Sequence, residues 1–163
     1  MFAKLKDKRG FTIVELLIVI IVIGILATLV ITTYNGVQSR ARDTKRKTDI
    51  NAIQGQVEAY NAQNGNYPTN ANMNDSTFRS NNLKGLEAPA ALQDPKWNSS
   101  NTNCTASGAV TLQDSTTPAN GCYGYQASPA GCDNGSGGDC TSYTLTANLE
   151  NGPPNTYVKT GSD

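Results

Sequence analysis

The sequence predicts an α+β protein in which one long N-terminal helix, apolar in its first half, carries a small antiparallel β-sheet head. Three observations predict this fold class. Residues 11–31 are almost entirely apolar, with Glu15 as the only charge. Residues 34–64 contain no proline and keep a helical spacing of apolar side chains. Residues 143–150 alternate apolar and polar side chains, as a half-buried strand does.

The N-terminal part of the chain has the length and composition of a membrane span. Residues 1–10 carry four basic side chains and one acidic side chain, and the apolar run follows directly. An apolar helix of about 20 residues crosses a hydrocarbon core of about 30 Å, so about residues 11–33 are predicted to be transmembrane. A secretory signal peptide is the alternative. Its apolar core is usually only about 7–15 residues long, and no clear small-x-small cleavage pattern ends this run.

Glu15 is the feature of this span that a plain anchor does not explain. A carboxylate at the centre of a membrane helix costs about 2.5–3.5 kcal/mol, and less near the ends. One interpretation is that Glu15 lies at the membrane interface and reaches water. The other is that it has a partner, because cleavage just before Phe11 would create an amino group four residues ahead of Glu15.

The motif GFTIVE at residues 10–15, followed by the long apolar run, resembles the class III signal of type IV pilins and type II secretion pseudopilins. The resemblance implies a leader of residues 1–10, cleavage by a prepilin peptidase between Gly10 and Phe11, and N-methylation of Phe11. It also implies that Glu15 pairs with the amino group of Phe11 on a neighbouring subunit. A buried ion pair of this kind would fix the register of assembly, because a misaligned neighbour leaves a bare charge.

Beyond the span, the helix is predicted to continue to Asn64. The apolar residues Ile50, Ile53, Val57 and Tyr60 recur at helical spacing and form one face that a head could bury. A glycine directly after Asn64 and a proline three residues later predict the helix end. We therefore predict three segments, which are a leader (1–10), a spine helix (11–64) and a head (65–163).

Type IV pilins commonly carry a proline about twenty residues into the mature helix, where the segment can unwind in the filament. This chain has Thr32 near that point and no proline in the helix. Any unwinding would therefore fall at Gly24 or Gly36, the weakest helix formers in this region.

A basic cluster lies in the second half of the helix. We interpret it as a solvated or inter-subunit face, with acidic lipid head groups or nucleic acid as the alternatives, and we expect a helical ion pair between Asp43 and Lys47. From Gly65 onward the chain has four basic and eight acidic residues, which argues against a nucleic-acid groove. The basic residues are Arg40, Arg42, Lys45, Arg46 and Lys47.

The head is predicted to contain one short helix and several strands. The helix starts at Asp75 or Ser76 and reaches about Leu83. Alternation predicts strands around Val110 and Leu112, around Tyr123 and Tyr125, over residues 143–150, and at an edge over residues 156–160. A three- or four-stranded antiparallel sheet of these strands would cover the apolar face of the spine helix.

All four cysteines lie in the last sixty residues, at positions 104, 122, 132 and 140. A zinc site is disfavoured because the chain has no histidine and no C-x-x-C pair. Two disulfides are expected for an exported head, with three possible pairings. We favour Cys132–Cys140 at the neck of the loop DNGSGGD, which leaves Cys104–Cys122.

The loop DNGSGGD also permits a calcium hypothesis. Asp133, Asn134 and Asp139 carry oxygen ligands, and the resemblance adds that some pseudopilins hold calcium in the head. Glycines occupy the third and fifth loop positions, so the spacing does not fit an EF-hand. We favour a flexible Asn-Gly turn with no metal.

No pattern of catalytic residues is present in the sequence. It has no histidine, no G-x-S-x-G and no phosphate-binding loop, so we expect neither an enzyme nor a cofactor. The resemblance implies a type IV pilus subunit that waits in the inner membrane. There the pilus assembly machinery adds it to an extracellular homo-oligomeric filament for adhesion, twitching motility or DNA uptake. The alternatives are a type II secretion pseudopilin and a solitary membrane-anchored surface binding module.

Overall fold

A computed structural model of the protein describes residues 10–98, 100, 102–106 and 109–162. The chain divides into two compact units, Met1–Gln38 and Ser39–Asp163. Helix α1, Ile13–Asn64, contributes residues to both units. The predicted long helix is therefore confirmed, and it begins two residues later than expected. Residues 1–9 of the predicted leader (1–10) lie outside the described residues.

The first unit is a helical segment whose apolar side chains are exposed. The large apolar side chains between Ile13 and Ile31 are 47% to 83% exposed. Within the described ranges, α1 is the one helix long and apolar enough to cross a membrane. The helix is continuous through Gly24 and Gly36, so unwinding in a filament stays a prediction.

In the second unit, α1 is followed by two short helices, α2 (Asn70–Asn74) and α3 (Ser76–Asn82). Asp75 caps α3, because its Oδ1 accepts the backbone N–H groups of Thr77 and Phe78 at 2.6 and 2.9 Å. This confirms the predicted short helix. Helix α2 was not predicted, because five residues are too few to show a helical period. Two 3₁₀ turns follow at Pro89–Leu92 and Thr102–Cys104.

Two antiparallel sheets complete the second unit. The smaller pairs β1 (Thr105–Ala106) with β2 (Ala109–Val110). The larger has the order β3-β4-β5. The expectation for Val110 needs correction, because its strand belongs to the small sheet and Leu112 follows that strand. The main sheet therefore has three strands, β3 (Tyr123–Ser128), β4 (Ser142–Asn148) and β5 (Thr156–Ser162).

The core of the second unit forms between α1 and the three-stranded sheet, as predicted. Ile50, Ile53 and Val57 are fully buried, and Leu145 of β4 joins the same cluster. Each such side chain contributes about 1.5–3 kcal/mol when it is removed from water. Tyr60 differs from the prediction, because it is only half-buried at the margin of the core.

A close approach of β5 to α1 explains one glycine of the sheet. Tyr143 donates its hydroxyl proton to Glu58 Oε1 at 2.6 Å, and Tyr67 donates to Glu58 Oε2 at 3.2 Å. Gly161 lies against these three side chains, and a Cβ atom at this position would overlap Tyr143 and Glu58. Only glycine fits there without displacing the tyrosines.

Two disulfides close loops of the head, Cys104–Cys122 and Cys132–Cys140. Their Cα atoms are 5.7 and 5.2 Å apart, within the usual range for a disulfide. This is the pairing that the sequence analysis favoured.

Candidate assembly site

The start of α1 is organised by a reciprocal contact between Thr12 and Glu15. Glu15 Oε2 accepts hydrogen bonds from the backbone N–H of Thr12 at 2.9 Å and from its hydroxyl at 2.8 Å. The backbone N–H of Glu15 in turn donates to Thr12 Oγ1 at 3.2 Å. This is a capping box, in which two residues three positions apart satisfy each other's donors at a helix start.

The capping box assigns a role to Thr12 that the sequence analysis missed. The signal was present, since a Thr-x-x-Glu pattern just before an apolar run predicts a helix N-terminus. Glu15 therefore has two functions, as a charge and as a hydrogen-bond acceptor for Thr12. The two functions are compatible, because the hydrogen bonds aim the carboxylate at the start of the helix without neutralising it.

The site lies entirely at the surface of its unit. Phe11 is 88% exposed, Glu15 is exposed, and apolar exposed side chains follow along α1. Gly10 and Phe11 stand next to each other before the helix, where a peptidase could reach the bond between them. Cleavage there and methylation of Phe11 remain predictions.

The basic cluster on α1 forms the expected solvated face only in part, because Arg40, Lys45 and Lys47 are exposed while Arg42 is half-buried. Arg46 is buried, with 2% of its surface exposed, and it pairs with Asp43. Asp43 therefore does not form the predicted pair with Lys47. The helical ion pair in this region joins Lys45 and Asp49 instead, with Nζ–Oδ1 at 2.7 Å.

An ion cluster thus joins the helix to the rest of the head. The sequence could not predict this cluster. The position of a residue along a helix does not show which long side chain reaches a carboxylate 50 or 100 residues away. The members of the ion cluster are Arg42, Asp43, Arg46, Asp94, Lys96 and Glu150.

Two of the three side chains of the calcium hypothesis, Asp133 and Asn134, accept hydrogen bonds within the DNGSGGD loop and at its neck, and calcium binding by Asp133, Asn134 and Asp139 stays a hypothesis. Asp133 Oδ1 accepts the N–H groups of Gly135 and Gly137, and these bonds, that of Gly137 first, lower the pKa of Asp133 below its usual value. Asn134 Oδ1 accepts the N–H of Cys140. In the parts of the chain that the structure describes, no three His, Cys, Asp or Glu residues stand close enough to hold a metal.

The described residues thus place the chain in the class of α+β proteins that have an apolar N-terminal helix of membrane-spanning length and a small disulfide-closed head. Comparison with known proteins agrees with this class. Residues 5–31 match the prokaryotic N-terminal methylation motif.

Curated relatives narrow the class further. The chain is 39% identical over 64 residues to the type II secretion system core protein G of Dickeya chrysanthemi, covering 39% of this chain and 42% of the relative. It is 35% identical over 65 residues to that of Klebsiella pneumoniae, covering 40% of this chain and 46% of the relative. It is 32% identical over 98 residues to that of Pseudomonas aeruginosa, covering 57% of this chain and 61% of the relative. Over part of its length the chain is therefore similar to the type II secretion system core protein G, which agrees with the resemblance of residues 10–15 to the signal of type IV pilins and pseudopilins.

The similarity is partial. The matched region spans less than half of the Dickeya and Klebsiella relatives, and much of this chain lies outside it. No solved structure matches the chain significantly.

Proposed function

We propose that this chain is a non-enzymatic filament subunit of the type II secretion pseudopilin kind. The leader is removed between Gly10 and Phe11, Phe11 is methylated, and copies then polymerise through α1. The relatives that support this choice are all named as type II secretion system core protein G. The type IV pilus, which the sequence alone favoured, becomes the second candidate.

The observation that carries the proposal is the unpacked apolar surface of the first unit. Nearly every large side chain from Ile13 to Ile31 is at least half exposed. Water is an unfavourable solvent for such a surface, so the segment requires lipid or other apolar helices around it. A subunit that waits in the membrane and then joins a helical bundle meets both conditions.

Glu15 supplies register to this assembly. Its carboxylate lies 2.9 Å from the amide nitrogen of Thr12, the residue directly after the proposed new N-terminus. The amine of Phe11 on an adjacent copy would then meet a carboxylate already held in place. A copy that arrives out of register leaves both charges without a partner in an apolar environment, which costs several kcal/mol.

The second half of α1 offers a matching surface for close helix packing. On the side of the helix opposite Ile50, Ile53 and Val57, every third or fourth residue is small and exposed. Small side chains let helix backbones approach closely, as in packed membrane helices. We call this row the small-residue seam, and its members are Ala41, Thr44, Thr48, Ala52, Gly55, Ala59 and Ala62.

A specific observation supports the second candidate, a type IV pilus subunit. Two disulfides close the head of this chain, and much of the chain lies outside the similarity to core protein G. A head that faces the medium on a long extracellular filament benefits from such crosslinks, because they limit the unfolded state. In that case the filament would serve adhesion, twitching motility or DNA uptake.

A deletion strain separates the candidates. For a pseudopilin we expect secretion of exoproteins to fail and surface filaments to be absent at native expression. For a pilus subunit we expect secretion to continue and filaments to be lost from sheared cell-surface material. Reintroducing the wild-type gene is the control for both measurements.

Mass spectrometry of the purified product tests the shared step. The expected mature chain begins at Phe11 and carries one added methyl group. A chain that keeps its leader and stays monomeric would contradict both candidates and would indicate a solitary membrane-anchored module.

A further inference from the structure

A buried arginine stands at the centre of the ion cluster. The guanidinium of Arg46 contacts three carboxylates, and its exposed fraction is 2%. Nε and Nη2 donate to the two oxygens of Asp94 at 2.7 and 3.0 Å, in a bidentate arrangement. Nη1 donates to Asp43 Oδ1 and to Glu150 Oε1, both at 2.8 Å.

These three carboxylates come from three separate parts of the chain. Asp43 lies on α1, Asp94 follows the 3₁₀ turn Pro89–Leu92, and Glu150 lies in the β4–β5 loop, residues 149–155. Asp43 also accepts the backbone N–H groups of Glu150 and Asn151 at 2.9 and 3.0 Å. The β4–β5 loop is therefore attached to α1 at the point where Arg46 holds the carboxylates together.

The other two cations of the cluster cannot replace Arg46. Arg42 and Lys96 form their cluster ion pairs with Glu150, with Nη2–Oε2 and Nζ–Oε2 both at 2.7 Å. Neither forms a described ion pair with Asp94, which is 2% exposed. Removing Arg46 would leave Asp43 and Asp94 as buried carboxylates without a cation, which is strongly destabilising.

We propose that Arg46 is a structural cation of the head, a tethered substitute for a bound metal ion that fastens the β4–β5 loop to α1. Hard divalent cations gather carboxylates from distant segments in this way. Here a planar guanidinium gathers them, which suits a bidentate carboxylate such as Asp94. The attachment of the β4–β5 loop to α1 then needs no metal, and this inference does not depend on the proposed function.

The first test compares wild type with Arg46→Ala, using the full-length chain in a non-ionic detergent. For wild type, the melting temperature should be the same in excess calcium and in excess EGTA. For Arg46→Ala we expect a melting temperature lower by about 10 °C. Adding guanidinium chloride at about 20 mM, a concentration far below denaturing levels, should restore part of this loss, because the free cation can enter the vacated position. Sodium chloride at equal concentration should not.

Hydrogen exchange localises the effect. In Arg46→Ala, the amides of Glu150 and Asn151 should exchange at least tenfold faster, and guanidinium should slow them again. The paired amides of β3 and β4 should change much less. Lys96→Ala is the matched control, since it removes an exposed cation of the same cluster, and it should leave these amides protected.

Two outcomes would overturn the proposal directly, and a third case is decided by a second variant. The first is a wild-type chain in which the Glu150 and Asn151 amides lose protection in EGTA. The second is an Arg46→Ala chain that guanidinium stabilises no better than sodium does. The third covers an alanine variant that does not fold in any buffer. In that case Arg46→Lys, which keeps a buried positive charge, should fold with an intermediate melting temperature, and its failure to fold would count against the proposal.

Discussion

The two units of this chain treat apolar side chains in opposite ways, although one helix supplies both. Between Ile13 and Ile31 the large side chains are mostly more than half exposed. In the second unit, Ile50, Ile53 and Val57 of the same helix are fully buried against the sheet. The sequence predicts helix for both parts, but their packing differs completely.

This difference teaches that the core that stabilises the head and the apolar surface that needs lipid or other helices reside in different parts of the chain. The second unit has its own core, two disulfides and an ion cluster, so it should unfold independently of any filament. The first unit has no tertiary core of its own within residues 10–38, so its free energy depends on what surrounds it. Variants in the first unit should therefore leave the stability of the head unchanged.

Glu15→Val should produce the largest effect and is confined to the first unit. We expect the yield of sheared filament to fall at least tenfold, because the amine of Phe11 loses the carboxylate that neutralises it and register is no longer fixed. The unfolding midpoint of the head, measured by urea titration in detergent, should not change. Leu17→Val is the control, because it alters a neighbouring apolar side chain slightly and should leave the yield nearly unchanged.

Glu15→Gln separates charge from hydrogen bonding at the same position. The amide can still accept from Thr12 and keep the capping box, but it carries no charge. We expect assembly to fail as it does in Glu15→Val. Normal assembly of the glutamine variant would mean that the helix cap, and not the ion pair, is what the filament requires.

Removing a disulfide should produce the largest effect in the second unit. Replacing Cys104 and Cys122 by alanine should lower the free energy of unfolding by about 3 kcal/mol, from the loop entropy. Replacing Cys132 and Cys140 should cost slightly less, because that disulfide links residues 8 apart rather than 18 apart. Urea titration followed by Trp97 fluorescence measures both. A larger loss from the shorter loop would mean that strain or packing outweighs loop entropy.

The sequence was sufficient to predict the elements whose residues follow a period or a capping rule. Helix α1, the cap at Asp75 and strand β4 appear where expected. The alternation within β4 is incomplete, because Thr146, predicted on the polar face, is fully buried. The buried face at Ile50, Ile53 and Val57 was also predictable, since a helical period identifies residues that share one side. These features depend on neighbours within a few positions, so local sequence contains the information.

The ion cluster could not be predicted in the same way. Arg46 looked like one of several solvated basic residues, because nothing in residues 37–50 shows that Asp94 and Glu150 fold back onto it. Contacts across 48 and 104 positions depend on how the head packs, which is a tertiary property. At the candidate assembly site, by contrast, Glu15 was singled out by its charge alone, and only Thr12 was missed.

Acid should weaken the second unit through two carboxylates of the ion cluster. The hydrogen bond from Arg42, with further bonds from Lys96 and Arg46, lowers the pKa of Glu150 despite its partial burial. Burial raises the pKa of Asp43, but the N–H of Glu150 and other donors outweigh it and lower the pKa overall. A lowered folded-state pKa gives stability that is present above the unfolded pKa, near 4, and is lost as the pH falls below it.

The melting temperature of the head should therefore be roughly constant from neutral pH to about pH 5 and then fall steadily below about pH 4. Circular dichroism of the full-length chain in detergent measures this profile. The variant Glu150→Gln should start at a lower melting temperature and fall less steeply, because it lacks one of the two titrating groups. An equally steep fall in the glutamine variant would assign the acid transition to other carboxylates.

The smallest effect should come from substitutions at Gly55, where a large side chain should raise the stability of the head but lower the yield of filament. Gly55 is exposed in the interior of α1, and nothing lies within 4 Å of a Cβ atom added there. Gly55→Ala should therefore stabilise the head by about 0.5–1 kcal/mol through lower backbone entropy in the unfolded state.

Gly55→Leu should gain a similar stability, yet we expect it to reduce filament yield severalfold, because a large side chain on the small-residue seam keeps neighbouring helices apart. Lys47→Leu, which adds a leucine to α1 away from the seam, is the control and should assemble better than Gly55→Leu. If Gly55→Leu polymerises as well as Gly55→Ala, the seam faces solvent in the filament, and assembly depends on the first unit alone.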